Sequence, residues 1–385
     1  MRWILLMLLT ATACAGATPA RPGASDSSSA SSSDWSPTQP PQLDDGWPVA
    51  DASDKGIDAS ILQKMASDLA DHDYVQLRSM LLVRNGALVF ELYDRPSRAR
   101  ELQDLRSTTK SVTGLLVAEA AARGHLDLDA PILPHLSSDP ASFSAAWQAT
   151  TWRQLLTMRS GLACDDHDPA SPGHEDRMYR SRDFSGDWVK FWLAVPREQP
   201  AGQDGRYCTG NAVALGRALA SAVGEPVDAW AARVLFEPLG ITSARWAEYA
   251  GGEGIDTGGH LRLRPRDLAR IGQLVLEGGS WQGTTVLDPG AVAVAVTADS
   301  TVDGSDYGLL WWVSAFDTAD GRTLRVWETR GNGGQHVFVL PELELVAVFT
   351  GGAYNHPDAA LPYVLMARHV LPALGVAVTA PPANG

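Results

Sequence analysis

Two strand-turn-strand signals sit at opposite ends of this 385-residue chain, and together they limit the folds open to it. Near the start, Ser79-Met80-Leu81-Leu82-Val83-Arg84 and Ala87-Leu88-Val89-Phe90-Glu91-Leu92-Tyr93 flank Asn85-Gly86, a dipeptide that accepts the positive φ of a tight antiparallel turn. Near the end, Gln335–Leu340 and Glu344–Thr350 are joined by Pro341-Glu342-Leu343, and two more β-rich runs, Gly308–Ser314 and Thr323–Glu328, precede them. From Leu126 to about Tyr249 the pattern is instead helical and loop-rich. Helical spacing also marks Ile57–His72, the stretch after Ser107 with Gly124 at its C-cap, Thr151–Met158, Ala212–Val223, a segment opened by Pro265, and Leu361–Leu371. The expectation is an α/β fold of the α+β kind. One antiparallel sheet is built from both termini and flanked by helices, with a mostly helical insertion at about 126–255.

The first 13 residues read as an export signal: Met1-Arg2, the apolar run Trp3–Leu9, then small residues. That core is too short to span a bilayer as a mature helix. Ala11-Thr12-Ala13-Cys14 resembles a bacterial lipobox, which predicts lipidation at Cys14 and a periplasmic, membrane-anchored protein; ordinary cleavage at an Ala-x-Ala site and secretion is the alternative. Residues 14–45 are rich in Ser and Pro and read as a flexible tether, leaving 46–378 as the folded domain. Export leaves Cys164 and Cys208 as the cysteines of that domain. In an oxidising compartment they form a natural disulfide pair, the alternative being two separate buried thiols.

A net charge of −14 and a pI near 5.0 exclude a nucleic-acid partner, since no basic stripe exists to neutralise phosphates. The densest basic run, Arg262, Arg264, Arg266 and Arg270, reads as a solvated helix edge. The nine His show neither H-x-x-x-H nor H-E-x-x-H spacing, so no metal site and no cofactor are expected. Trp311-Trp312 reads as core.

Chemistry concentrates at Ser107-Thr108-Thr109-Lys110. Lysine is otherwise scarce, with Lys55, Lys64 and Lys190 the remaining ones. Residues three apart on a helix lie one turn from each other, which sets a hydroxyl beside an amine that can take its proton if burial lowers the amine's pKa. A serine at a helix N-terminus also offers its own N–H to a developing oxyanion.

Four segments in register resemble the serine β-lactamase/DD-peptidase superfamily, especially its class C-like and esterase-like branch. They are Ser107–Gly114, the Thr151–Leu162 segment with Leu155-Leu156-Thr157-Met158-Arg159-Ser160-Gly161-Leu162, Tyr207–Gly216, and Gly331-Asn332-Gly333-Gly334-Gln335 with the strands that follow. The resemblance implies Ser107 as acylated nucleophile, Lys110 as its proton-accepting neighbour and Tyr207 as second acid/base. It implies an oxyanion hole from the backbone N–H groups of Ser107 and Gln335, with Thr209, Asn332, Gly333 and Gly334 as substrate-binding positions.

Two departures bear on the substrate. Thr209 stands where the family usually has Asn, and Asn332 stands where β-lactamases and DD-peptidases carry a Lys that binds a carboxylate. Arg330 and His336 are candidates to substitute. The loop Cys164-Asp165-Asp166-His167-Asp168 is either a solvated acidic loop or a cleft wall that repels anions. The expected function is therefore an exported serine hydrolase of a small ester or amide, working through an acyl-enzyme. A true β-lactamase or D-amino-acid peptidase is the alternative, and a catalytically idle cell-envelope binding protein is the reading from another class.

Overall fold

The Asn85-Gly86 turn closes with φ of 50° and 72°, and joins β1 (Leu77–Arg84) to β2 (Ala87–Tyr93). The computed structural model describes residues 40–71, 76–249 and 254–379, all within one compact unit that spans 35–385. The leader, Cys14 and most of the tether lie outside the described residues. Six further strands, β3 (Ser300–Val302), β4 (Ser305–Tyr307), β5 (Trp312–Asp317), β6 (Thr323–Gly331), β7 (Gln335–Leu340) and β8 (Leu345–Gly351), complete one sheet. Its order is β2-β1-β8-β7-β6-β5-β4-β3. The two ends of the chain meet at the antiparallel β1–β8 pair, where Met80 lies opposite Phe349 and Val83 opposite Val346.

Both faces of the central strands are covered, which is why these strands are apolar without interruption rather than alternating. Leu81, Val83, Val337, Val339, Val346 and Val348 share one core with α2 (Thr108–Ala122) and α7 (Pro265–Leu276). Met80, Leu82, Phe338, Leu340, Ala347 and Phe349 share a second core with α1 (Ala59–Asp71) and the helical segment from Leu361 to Ala373. The insertion contains α3 (Trp152–Leu156), α4 (Glu175–Arg180), α5 (Trp188–Leu193) and α6 (Thr209–Val223). Its described residues make isolated bridges but no strand ladder.

Two sequence expectations change here. Gly308–Leu310 is not strand: Leu310 has φ 60°, and the N–H groups of Leu309 and Leu310 go to Ala295 and Leu156. The cause is α2, which passes so near that a Cβ on Gly114 would lie 2.1 Å from the Leu309 carbonyl oxygen. Arg266 and Arg270 are not a solvated edge either; they are 5% and 3% exposed. Arg266 pairs with Glu91 at 2.6 Å and Asp45 at 2.8 Å, and Arg270 pairs with Asp267. Buried guanidinium groups persist only where such partners offset their desolvation. Arg266 also donates to the Pro41 carbonyl, so the last residues of the expected tether are docked on α7.

Cys164 and Cys208 form a disulfide with Cα atoms 5.4 Å apart across 44 residues of sequence. Closing a loop of that size stabilises by about 4 kcal/mol on the chain-entropy model. The Cys164→Ser/Cys208→Ser double variant is expected to melt lower by calorimetry, and an unchanged melting temperature would refute that contribution.

Candidate active site

Ser107 is the N-cap residue of α2, yet its side chain makes no capping bond. Its hydroxyl is thereby left for other work. One turn later, Lys110 is 1% exposed and donates from Nζ to Ser107 Oγ at 3.0 Å and to the Gly258 carbonyl at 2.7 Å. Gly258 packs tightly there, since a Cβ on it would lie 2.7 Å from Thr209 Cγ2. Tyr207 immediately precedes Cys208, the N-cap of α6. Its ring centroid lies 4.9 Å from Lys110 Nζ, and the Ser107 side chain stands near enough to its phenol to pull the phenol's pKa down. The fold therefore brings Ser107, Lys110 and Tyr207 together, from helices that begin about a hundred residues apart.

Three carboxyl groups surround this trio. Asp166 Oδ2 accepts the Thr209 N–H at 2.6 Å, and its Oδ1 accepts the Glu175 N–H at 2.8 Å. The Thr209 hydroxyl donates to Glu175 Oε2 at 2.8 Å. Asp256 Oδ1 accepts the N–H groups of Gly258 and Gly259 at 3.0 and 2.9 Å. Burial pushes Asp256 up to about 6, against the pull of His260 and Lys110. Burial and then the neighbouring Glu175 raise Asp166.

These groups change the reading of Lys110. Burial alone pulls its pKa down, but Tyr207, Glu175, Asp166 and Asp256 outweigh that and hold it above the ordinary lysine value. Burial likewise raises Tyr207, while Lys110 and the Ser107 side chain pull it down. At rest the centre is an ammonium donating to the serine oxygen beside a protonated phenol. A neutral Lys110 produced by burial, the basis of the sequence expectation, is not the resting state.

Ser107 and Tyr207 open on a cleft of about 750 Å³. Asp166, His167, Glu175 and Asp303 form one group of its lining; Trp312, Arg330, His336 and Tyr363 form another. His167 Nε2 lies 3.0 Å from Asp303. Trp312 is 6% exposed and stacks on Tyr207 at 5.6 Å, so it serves both core and cleft, while Trp311 is wholly core.

Other expected positions fall elsewhere. Thr209 is fully buried beneath the trio and does not line the cleft. Asn332 lines it, with its side chain bonded to Asn355 through contacts of 2.7 and 2.9 Å. Gly333 and Gly334, with φ of 92° and 89°, make the turn between β6 and β7 and are not in the lining. Gln335 is fully buried and outside the cleft lining, its side-chain amide locked to Gly351 by bonds of 2.7 and 3.1 Å. The chain that borders the cleft is the end of β6, at Arg330-Gly331-Asn332, before the glycine pair rather than after it.

Glu175, Asp256, Asp303 and Tyr363 were not expected as site residues. Asp256 carried a signal, an Asp-Thr-Gly-Gly run ahead of a proline-opened helix, which marks a loop where backbone approaches something closely. Glu175 and Asp303 had none, because they lie far from every motif.

A family model for β-lactamases matches residues 74–370. The chain belongs to the β-lactamase family. No curated protein matches its sequence. Solved structures of similar fold include a provisionally named 6-aminohexanoate-dimer hydrolase from Bacillus anthracis, at 18% identity and TM-score 0.64, covering 79% of this chain and 80% of that one. A family VIII carboxylesterase is 15% identical with TM-score 0.59, over 79% and 95% of the two chains. A class C β-lactamase from Rhodobacter sphaeroides is 17% identical with TM-score 0.58, over 82% and 98%. At these identities the likeness concerns fold. This β-lactamase-family chain thus has a hydrolase fold that is shared by esterases, amidases and β-lactamases.

Proposed function

We propose that this β-lactamase-family protein is an exported serine hydrolase acting on a small ester or amide through an acyl-enzyme on Ser107. The observation that carries the reading is one hydroxyl in an open cleft that accepts from the Lys110 ammonium, which itself lies over the Tyr207 ring. The reactive form has one proton fewer on the Lys110–Tyr207 pair. Ser107 Oγ then attacks the carbonyl carbon and its proton passes to that pair. Backbone N–H groups of Ser107 and of the β6 end at Arg330-Gly331 would hold the oxyanion, replacing the role expected of Gln335. Collapse expels the alcohol or amine, which takes the proton back, and water repeats the sequence on the acyl group. The disulfide suits an exported protein; a lipid at Cys14 remains part of this proposal.

β-Lactams and D-alanyl peptides carry a carboxylate, which would enter a cleft lined by Asp166, Glu175 and Asp303 without a lysine at Asn332. The test is turnover of a short-chain p-nitrophenyl ester, a chromogenic cephalosporin and a D-alanyl peptide. The ester should be fastest; faster cephalosporin turnover overturns the ordering. A fluorophosphonate probe should label the folded wild type, and failure to label would leave an idle binding protein as the better reading.

The pH profile follows from the charges. Because the active form must lose a proton from a pair whose pKa values are raised, kcat/KM should rise with pH. Asp166→Asn removes a carboxylate that raises both members, so its rising limb should move to lower pH. A limb that stays or moves upward contradicts this assignment.

A further inference from the structure

His336 lies in β7 opposite Arg330 of β6, and both side chains line the cleft. The imidazole is 6% exposed, lies parallel to Phe338 at 5.4 Å, and meets the edge of Tyr363 at 5.1 Å. Burial, with the Arg330 charge beside it, pushes its pKa down to about 3, so the ring is neutral. Nδ1 is buried and has no hydrogen-bond partner among the described residues. A buried N–H without an acceptor is costlier than a bare lone pair. Hydrogen-bond accounting therefore leaves the lone pair on Nδ1 and puts the proton on Nε2.

Arg330 is the second donor. Its Nε and Nη2 bond to Glu328 Oε1 at 3.1 and 2.7 Å, and its guanidinium lies 4.3 Å from the Trp312 ring centroid. Glu328 is fully buried and also accepts from the Tyr363 hydroxyl at 2.8 Å. Two of the five guanidinium N–H groups are thus engaged in these bonds, and the charge is matched by Glu328. This part of the cleft presents donors without net charge, beside a group in which the carboxyls of Asp166, Glu175 and Asp303 outnumber the neighbouring Lys110 and His167.

We propose that Arg330 and His336 form a subsite that binds an uncharged carbonyl oxygen of the substrate, an amide or ester group distinct from the scissile one. This rests on the hydrolase reading of the same cleft and narrows its substrates to esters or amides bearing a second, neutral acceptor.

The experiment compares matched p-nitrophenyl and alkyl esters whose acyl or alcohol chain ends in methyl, primary carboxamide or carboxylate. Wild type should favour the carboxamide over the methyl ester about tenfold in kcat/KM in at least one of the two series, the scale of one net hydrogen bond. His336→Phe should lose that preference, read as the carboxamide-to-methyl ratio of kcat/KM within the variant, and His336→Gln, which keeps a donor, should restore part of it. Calorimetric binding to Ser107→Ala protein should show the same carboxamide preference without turnover. That arm separates the two readings: if wild type hydrolyses no ester yet the preference persists in Ser107→Ala, the hydrolase reading fails and the subsite stands. No carboxamide preference in wild type, a preference undiminished in His336→Phe, or a carboxylate preferred over the carboxamide each overturns the subsite.

Discussion

Ser107→Ala is expected to lower kcat/KM on the best ester by roughly 10⁴-fold or more and to abolish fluorophosphonate labelling, while the protein melts almost as wild type. The kinetic size follows from the proposed mechanism. Without the hydroxyl no acyl-enzyme can form, and what remains is whatever the oxyanion donors and binding do for direct attack by water; losses of roughly 10⁴- to 10⁶-fold accompany removal of such a nucleophile. The small effect on stability follows from the local structure. A capping serine normally contributes about 1 kcal/mol through its bond to the first turn, but the Ser107 hydroxyl makes no such bond. Its replacement removes the bond from Lys110. Labelling of the variant at wild-type level would show that another residue is the nucleophile. A large drop in melting temperature would show that the hydroxyl holds α2 in place after all.

What could be read from sequence divides along a physical line. Turn chemistry and strand patterning are local, so Asn85-Gly86 and the Gln335–Leu340 strand were legible, and β7 spans those same residues. The meeting of β1 with β8 followed from placing strands at both ends, since strands left there must pair with something. Gly308–Ser314 misled because its apolar pattern is real, but the close approach of Gly114 diverts the backbone. That is a tertiary cause with no local signature.

At the candidate site, the contact between Ser107 and Lys110 was legible because one helical turn fixes their geometry. The approach of Tyr207 to Lys110 was legible only through its motif. The glycine pair was misplaced by a turn's length: Gly333 and Gly334 reverse the chain after β6, so the residues facing the cleft are Arg330 and Gly331, while Gln335 begins the next strand inward. The charge state of Lys110 could not be read at all. It depends on Tyr207, Glu175, Asp166 and Asp256, which stand 56 to 146 residues further along the chain and meet the lysine only once the chain has folded.

Lys110→Met tests that charge state through stability as well as rate. The side chain keeps its length and apolar body but loses the ammonium, so buried Asp256 and half-buried Asp166 and Glu175 lose a nearby cation. Nζ reaches these carboxyl groups through charge rather than a direct ion pair, so the cost should stay below the about 3–5 kcal/mol of a broken buried pair, and ester turnover should fall by about 10³-fold or more as the hydroxyl loses its donor. The pH dependence has a definite sign. Asp256 already has a folded pKa of about 6, above its ordinary 3.8, so the stability it contributes is present at low pH and is lost as pH rises through about 6. Lys110 lowers both Asp256 and Asp166 in the native protein, so without it both rise further and the loss deepens and extends to higher pH. Lys110 itself, raised above 10.5, stays charged throughout this range in the wild type. The melting-temperature deficit of Lys110→Met should therefore be large at pH 8 and shrink toward pH 5, where Asp256 and Asp166 can go neutral. A deficit equal at both pH values would mean that the lysine is held by packing alone, and that the three carboxyl groups do not set its protonation.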